Sequence, residues 1–370
     1  MVTYEQLGVK PVINASGRMT LLGATALDPD VAQAMVEASR HYVNMLELEE
    51  RVGLRIAAIT GAEAGCMTAG AAAGIAMGTA AVLTGTDIGR IQALPDTTGL
   101  HKIEMLVQTG HLCNFAGMAR LAGARLVPVG WTNFVTAGHV ESAINDRTAG
   151  FLYIISHHVV QKGMLSLREC LEICHAHNVP VLVDAAAEED LTSYVGLGAD
   201  LVTYSGGKAI GGPSFGMLCG RAEYIQACRA QFWGIARAMK VTKEGILGFL
   251  TALEIFAQRD IKAEKQRLAE INSILVEGLG SLPETIVTTV QDEAGRDIWR
   301  VELRLNEAAL GFAANDLIQF LRAGDPAIVT RDHKANLGII AIDPRPITPA
   351  EAALIVERIC AFFTIKRRPG

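Results

Sequence analysis

The chain lacks a basic surplus. Its 370 residues hold 33 Lys and Arg against 39 Asp and Glu, a formal net charge of −6, so a general affinity for nucleic acid is not expected, while a local cationic pocket remains open. Cys-x-x-Cys pairs are also missing. The seven cysteines, at 66, 113, 170, 174, 219, 228 and 360, fall mostly inside apolar helix or strand patterns. They read as reduced core residues, which points to the cytoplasm. No spacing of His, Cys and carboxylates marks a metal site. No early segment combines a basic start, a long apolar run and a small-residue cleavage site, so no signal peptide is expected. The apolar stretch from Ala71 to Leu83 is too short to span a bilayer and reads as a buried helix. Internal repeats and low-complexity segments are absent as well.

Half of the residues are hydrophobic, enough for a large core. Strand-like and helix-like segments alternate, the pattern of an α/β protein with a mainly parallel sheet between helices. Strands are expected at 104–108, 126–129, 151–155, 179–184 and 200–204, with 215–219 returning antiparallel. Helices are expected at 112–122, 139–145 and 166–177, the last with Ser166 and Glu169 at capping-box spacing. A long helical pattern over 243–279 leads away. Strands near 298–305 and 336–342, with helices near 313–322 and 349–363, predict a smaller α+β C-terminal domain. The expected division is an N-terminal arm at 1–30, a large domain at 31–240, and a bridging helix with the small domain at 241–370.

The segment Val202-Thr-Tyr-Ser-Gly-Gly-Lys-Ala-Ile-Gly-Gly-Pro213 places Lys208 between a buried strand and a glycine-rich turn. A lysine held out of bulk water loses part of its preference for charge and becomes a nucleophile or Schiff-base former. Upstream, Pro180-Val-Leu-Val-Asp184 reads as a strand ending in a carboxylate. Further upstream, Thr68-Ala-Gly-Ala-Ala-Ala-Gly74 precedes an apolar helix. A small-residue helix start offers N–H groups to a phosphate, a strand-end Asp can keep a pyridine nitrogen protonated, and the lysine can carry the aldehyde. Together they form a kit for pyridoxal 5'-phosphate. Gly70, Ala71, Ala72 and Ala73 are the phosphate-binding candidates, with close helix packing as the competing account. Ser205 is a further phosphate ligand or a simple turn serine. Asp184 pairs with the pyridine nitrogen or caps a helix near Glu188.

Several segments carry a resemblance to a known family: Val12-Ile-Asn-Ala-Ser-Gly-Arg18, Tyr42-Val-Asn-Met-Leu-Glu-Leu48, Thr60-Gly-Ala-Glu-Ala64, Val129-Gly-Trp-Thr-Asn133 and, above all, Tyr204-Ser-Gly-Gly-Lys-Ala-Ile-Gly-Gly-Pro213. They resemble the selenocysteine synthase family of fold-type I pyridoxal-phosphate enzymes. The family's tRNA-dependent members usually read Ser-Gly-Asp-Lys where this chain has Gly207 before Lys208. They also carry an additional N-terminal tRNA-binding domain, for which this chain is short. The opening through Leu21-Leu-Gly23 looks closer to the branch containing D-glucosaminate-6-phosphate ammonia-lyase.

That resemblance implies an ammonia-lyase acting by α,β-elimination on a β-hydroxy amino acid or 2-amino sugar acid, releasing a 2-keto-3-deoxy acid. Racemase, aldolase or β-lyase chemistry, selenium transfer to seryl-tRNA, and a non-catalytic cofactor-binding role are the rivals. It implies that Lys208 carries the cofactor and moves the Cα proton, that His111 stacks on the cofactor unless it is an ordinary strand-end histidine, and that Arg331 takes the substrate carboxylate unless it is a surface arginine. His157 and His158, which follow a strand end, touch substrate or lie in a solvated loop. Arg345 is expected to be structural. Arg18, Arg237, Lys240 and Lys243 are unranked candidates for a substrate phosphate. The partners expected are an anionic small molecule and, by resemblance, a second copy of the chain, with Asn44–Glu50 a candidate contact or a plain amphipathic helix.

Overall fold

A computed structural model describes residues 2–293 and 295–366. Strands are numbered along the chain: β1 Val12–Ala15, β2 Ala64–Thr68, β3 Glu104–Gln108, β4 Arg125–Val129, β5 Thr148–Ile154, β6 Val181–Asp184, β7 Leu201–Ser205, β8 Gly216–Gly220, β9 Thr285–Gln291, β10 Trp299–Leu305, β11 Ala327–Thr330 and β12 Ile339–Ile342. By contact the chain divides into two compact units, one of residues 27–258 and one of residues 1–26 with 259–370.

The larger unit holds a seven-stranded sheet in the order β2-β8-β7-β6-β5-β3-β4. All neighbours from β7 through β4 pair parallel, while β8 runs antiparallel to both β7 and β2. Six strands therefore end at the same edge, and β8 begins there. Each of β3, β5, β6 and β8 is buried along its whole length, which explains why β5 and β6 read as apolar runs rather than alternating ones. Leu106, Phe151, Val183, Val202 and Tyr204 build the core on one face. Met105, Leu152, Ile154, Leu182 and Leu218 belong to a second cluster with helix Ala71–Thr84.

That helix is buried along nearly all of its length, so the short apolar run is a core element. Among the described residues no helix is long and apolar enough to cross a membrane. Helix Leu167–Ala176 begins with the anticipated capping box: the Glu169 N–H donates to Ser166 Oγ at 3.3 Å, and the Ser166 N–H donates to Glu169 Oε2 at 2.8 Å.

The smaller unit contains the antiparallel sheet β12-β10-β9 and the parallel pair β1-β11. Helices Ile261–Leu279, Ala314–Ala323 and Pro349–Lys366 pack on its core of Ile271, Leu275, Val301, Leu317, Ile340 and Ile355. The long pattern at 243–279 is two helices, Lys243–Ala257 and Ile261–Leu279. Asp260 makes the break by accepting the N–H groups of Lys262 and Ala263, a cap that starts a new helix. The expected helix at 112–122 is instead a 3-10 segment, Ala116–Ala122, after a 3-10 turn at Thr109–His111. β9 gives no apolar run to read, because as a sheet edge it leaves Thr285–Gln291 half-buried or exposed throughout.

The phosphate-candidate helix lies against β7 at Gly74, where an added Cβ would come 2.0 Å from Thr203 Oγ1 and 2.9 Å from its Cβ. Gly74→Ala should therefore cost about 1–3 kcal/mol by overpacking. Urea unfolding tests this; an unchanged midpoint would mean that helix and strand are not held at this separation.

Candidate active site

The common strand edge collects the residues singled out from sequence. β6 ends at Asp184, whose register partners are Ile154 on β5 and Thr203 on β7. β7 passes through Ser205 into a single π-type turn, Gly206–Ile210, in which Lys208 leaves helical geometry at φ −108° and ψ −116°. Lys208 is half-buried. Its Nζ stands 5.6 Å from the centroid of Phe115, close enough for a cation–π attraction.

Asp184 is buried, 4% exposed, and accepts the Ala186 N–H at 3.1 Å. Burial raises its pKa to about 6, against the opposing pull of Lys208 and the Ala186 hydrogen bond. The mutual influence of carboxylate and amine puts both groups in one electrostatic neighbourhood. The next helix, Ser193–Gly196, has the Thr192 and Ser193 N–H groups at its start taken by Asp190 rather than Asp184, so the capping account of Asp184 fails.

His111 follows β3 and is fully buried. Its Nδ1 accepts the Ile154 N–H at 3.3 Å, and its ring meets Tyr153 edge-on at 4.8 Å. Nε2 has no hydrogen-bond partner among the described residues. Burial pushes the pKa of this imidazole down to about 4, so it is neutral at physiological pH. A neutral, buried, incompletely satisfied ring at the strand edge is unlike a solvated strand-end histidine. His157 and His158 follow β5, with ring centroids 3.8 Å apart. His158 lies 5.7 Å from Phe115, which ties the pair to the surroundings of Lys208.

The helix starting at Ala71 opens at this same edge, after β2. Its N-cap Gly70 has φ +124°, a region in which side chains with a Cβ are strained. A Cβ on Gly216 would come 2.9 Å from the Gly70 carbonyl carbon, so the two backbones approach without side chains between them. Thr68 Oγ1 donates to the Gly70 carbonyl at 2.9 Å, fixing the turn. Ala71 and Ala73 are buried and Ala72 is exposed, leaving a small-residue helix start with free N–H groups for an anion. Ser205 sits beside Gly216 in register, and its N–H donates to the Ala186 carbonyl at 3.2 Å.

Together these are an amine, a carboxylate at the end of the neighbouring strand, an orphaned imidazole nitrogen and a helix N-terminus. That donor set fits a planar pyridine aldehyde bearing a phosphate. Phe115, Thr68 and Thr203 were not anticipated. Thr68 and Thr203 stand inside the glycine-rich and lysine segments, where the small residues and the lysine drew the reading, while Phe115 has no motif to mark it.

The remaining candidates divide. Arg237 and Lys240 line a cavity of about 180 Å³ in the larger unit with Arg229, Glu49, Met67 and Phe232. Arg229 had no sequence signal; its Nη2 donates to the Gly65 carbonyl at 2.8 Å while its buried Nε has no partner among the described residues. Lys243 is engaged instead with Glu244 and with the Ala38 carbonyl. In the smaller unit, Arg331 follows β11 with its side chain 11% exposed and paired with Glu293, so it is not a surface arginine. Arg345 is locked onto Asp343 at 2.7 and 2.9 Å. Arg18 is half-buried and, behind Arg267, helps hold the Glu264 carboxyl below its ordinary range.

The L-seryl-tRNA selenium transferase (SelA) family model matches residues 12–275. The chain is 41% identical over 360 residues to D-glucosaminate-6-phosphate ammonia lyase of Salmonella typhimurium (strain 14028s / SGSC 2262), covering 96% of each sequence. It is equally 41% identical, over 365 residues, to the 5'-C-glycyluridine monooxygenase-decarboxylase of a Streptomyces species, covering 96% of this chain and 90% of that one. A solved structure of D-glucosaminate-6-phosphate ammonia-lyase superposes with a TM-score of 0.89 at 40% identity, over 99% of this chain and 100% of that one. The architecture is that of the fold-type I pyridoxal-phosphate enzymes.

Two buried groups give opposite pH signatures in the cofactor-free protein. With its pKa lowered to about 4, folded His111 binds fewer protons than in the unfolded chain, so its contribution to stability is full near neutrality and lost as pH falls toward 4. With its pKa raised to about 6, folded Asp184 binds more protons than when unfolded, so its contribution is full at low pH and lost as pH rises toward 6. Between about pH 4 and about pH 6, Asp184→Asn should make stability rise more steeply with pH than in wild type, and His111→Gln less steeply. Urea titrations at both pH values check this; matching slopes in all three proteins would contradict the assigned environments.

Proposed function

The chain belongs to the L-seryl-tRNA selenium transferase family of pyridoxal-phosphate enzymes, and on that premise we propose that it is an ammonia-lyase. It removes ammonia from a 2-amino sugar acid such as D-glucosaminate 6-phosphate and yields a 2-keto-3-deoxy acid. The observation that carries this reading is the superposition, at a TM-score of 0.89, on D-glucosaminate-6-phosphate ammonia-lyase over nearly the whole of both chains. The equal identity to a monooxygenase-decarboxylase supports a second reading, oxidative decarboxylation of an amino acid, which the products distinguish.

Pyridoxal 5'-phosphate, when bound, accepts the electron pair that proton loss leaves at Cα. Lys208 Nζ would hold the cofactor covalently. The Lys208 amine would take the substrate's Cα proton and deliver it to the departing β-hydroxyl, which leaves as water, so that one group serves as base and acid; water then hydrolyses the released enamine to the keto acid and ammonia. The Phe115 ring, 5.6 Å from Nζ, attracts the charged form of the amine and leaves the neutral form unbound to it. Asp184 is ionised at neutral pH and keeps a proton on the pyridine nitrogen. Neutral His111 presents a ring without adding charge. Gly70, Ala71, Ala72 and Ala73, with Ser205, receive the cofactor phosphate, and His157 and His158 meet the substrate.

Arg331 is assigned to the substrate carboxylate, because a guanidinium can grip it bidentately. Arg18 is assigned to the substrate phosphate on its charge alone. Arg237 and Lys240, which share a cavity with Arg229, are assigned to that phosphate as well. The free thiols fit a reducing cytoplasm. A homo-oligomer is part of the same reading, with the fully exposed Tyr42 and the exposed Val43 and Leu46 available for contact.

Purified protein with pyridoxal phosphate should show a visible absorption band that Lys208→Ala loses, with kcat/KM for D-glucosaminate 6-phosphate falling at least about a thousandfold. Keto acid and ammonia in equal amounts support the lyase. Oxygen uptake with carbon dioxide release, and no keto-deoxy acid, would move the assignment to the decarboxylase. Lys240→Ala should raise KM for D-glucosaminate 6-phosphate about tenfold, the weight of one charged hydrogen bond. It should leave KM for unphosphorylated D-glucosaminate unchanged; equal effects on both compounds would remove Lys240 from phosphate binding.

A further inference from the structure

In the smaller unit the carboxylate of Glu293 draws an unusual set of cations. Arg300 Nη1 and Arg331 Nη2 both lie 3.3 Å from its Oε2, while His333 Nε2 lies 3.3 Å and Lys334 Nζ 3.9 Å from its Oε1. Two of these four cations have nearer partners. Arg300 reaches Asp292 and Asp343, each at 2.8 Å, and Lys334 reaches Glu302 at 2.6 Å. The turn that carries Glu293 is tied by Asp292 to Arg296 at 2.8 Å. Arg300 and Lys334 thus each keep a closer carboxylate than Glu293.

Arg331 differs. Among the described residues Glu293 is the one carboxylate within ion-pairing distance of it. The grip is single and long: one contact of 3.3 Å, where a charge-assisted pair ordinarily closes to about 2.7–2.9 Å. Arg331 Nε is buried and has no partner among the described residues. The backbone of Arg331 is fixed by reciprocal hydrogen bonds with Ala341, both 2.9 Å. The guanidinium is therefore held in place with its side fork, Nε and Nη2, half used. A guest carboxylate taking both nitrogens would form the paired geometry that Glu293 does not, and it would have to displace Glu293 from Nη2.

We propose that Glu293 is a built-in stand-in for the substrate carboxylate, which occupies Arg331 until substrate arrives and raises KM by competing for it. This rests on the assignment of Arg331 above. The Glu293 side chain is 35% exposed, so the competing pair is partly screened by water and its effect is modest, about threefold.

The test is made on the holoenzyme with D-glucosaminate 6-phosphate, comparing wild type, Glu293→Gln, Arg331→Gln and the double variant by steady-state kinetics and by titration of the cofactor absorption. The expected result is a KM about threefold lower in Glu293→Gln with kcat unchanged, a raised KM in Arg331→Gln, and no further effect of Glu293→Gln once Arg331 is replaced. Glu293→Ala, with the charge likewise removed, should behave as Glu293→Gln if the latter folds poorly. An unchanged or higher KM in both Glu293 variants, with Arg331→Gln still impaired, overturns the stand-in and leaves the Arg331 assignment intact. An Arg331→Gln enzyme with wild-type KM removes that assignment and the stand-in with it. A wild-type holoenzyme whose absorption does not respond to the compound sinks the substrate reading and both assignments.

Discussion

The parallel pairing of β5, β6 and β7 is the constraint on which the candidate site depends. In that register Asp184 lies beside Ile154 and Thr203, and the next residues of each strand must leave the sheet at one edge. A carboxylate, the backbone amide that orients an imidazole, and the strand that delivers a lysine are thereby brought together by main-chain hydrogen bonds alone. A slip of one residue in β6 would turn Asp184 to the opposite face. The chemistry therefore rests on sheet geometry rather than on loops that must find each other.

Burial then sets the protonation states. Desolvation works in opposite senses on the two kinds of group, holding Asp184 partly protonated toward about 6 and His111 neutral down to about 4. Near neutral pH the site contains an anionic carboxylate, a neutral imidazole and a lysine facing an aromatic ring. Such separation of roles suits a cofactor that needs a protonated ring nitrogen and an amine able to take and return a proton. The glycine contact between helix Ala71–Thr84 and β7 adds the third element by bringing a helix start to the same edge.

The smaller unit handles charge differently. Asp292, Arg300, Asp343 and Arg345 form a buried ionic network in which burial is outweighed by close partners, and the carboxyls of Asp292 and Asp343 are held far below their usual range. Such a network resists rearrangement because removing one member leaves another charge buried and uncompensated. Its rigidity is what makes the looser pair of Arg331 and Glu293 stand out.

Much of this was legible in the linear chain. Apolar runs marked β5 and β6, because strands buried on both faces leave no polar alternation. Lys208, Asp184 and the Gly70–Ala73 run stood out because glycine-rich turns and strand-end charges are local features. Only the folded chain decided the rest. Phe115 near Lys208, Glu49 beside Arg237 and Lys240, and the pairing of β1 with β11 join residues remote in sequence, and no local pattern encodes a through-space neighbour. The same holds for protonation and for partners. That His111 is neutral and Arg331 is held by a single glutamate follows from desolvation and from which charges the packing brings within reach, quantities that exist only once the chain is folded.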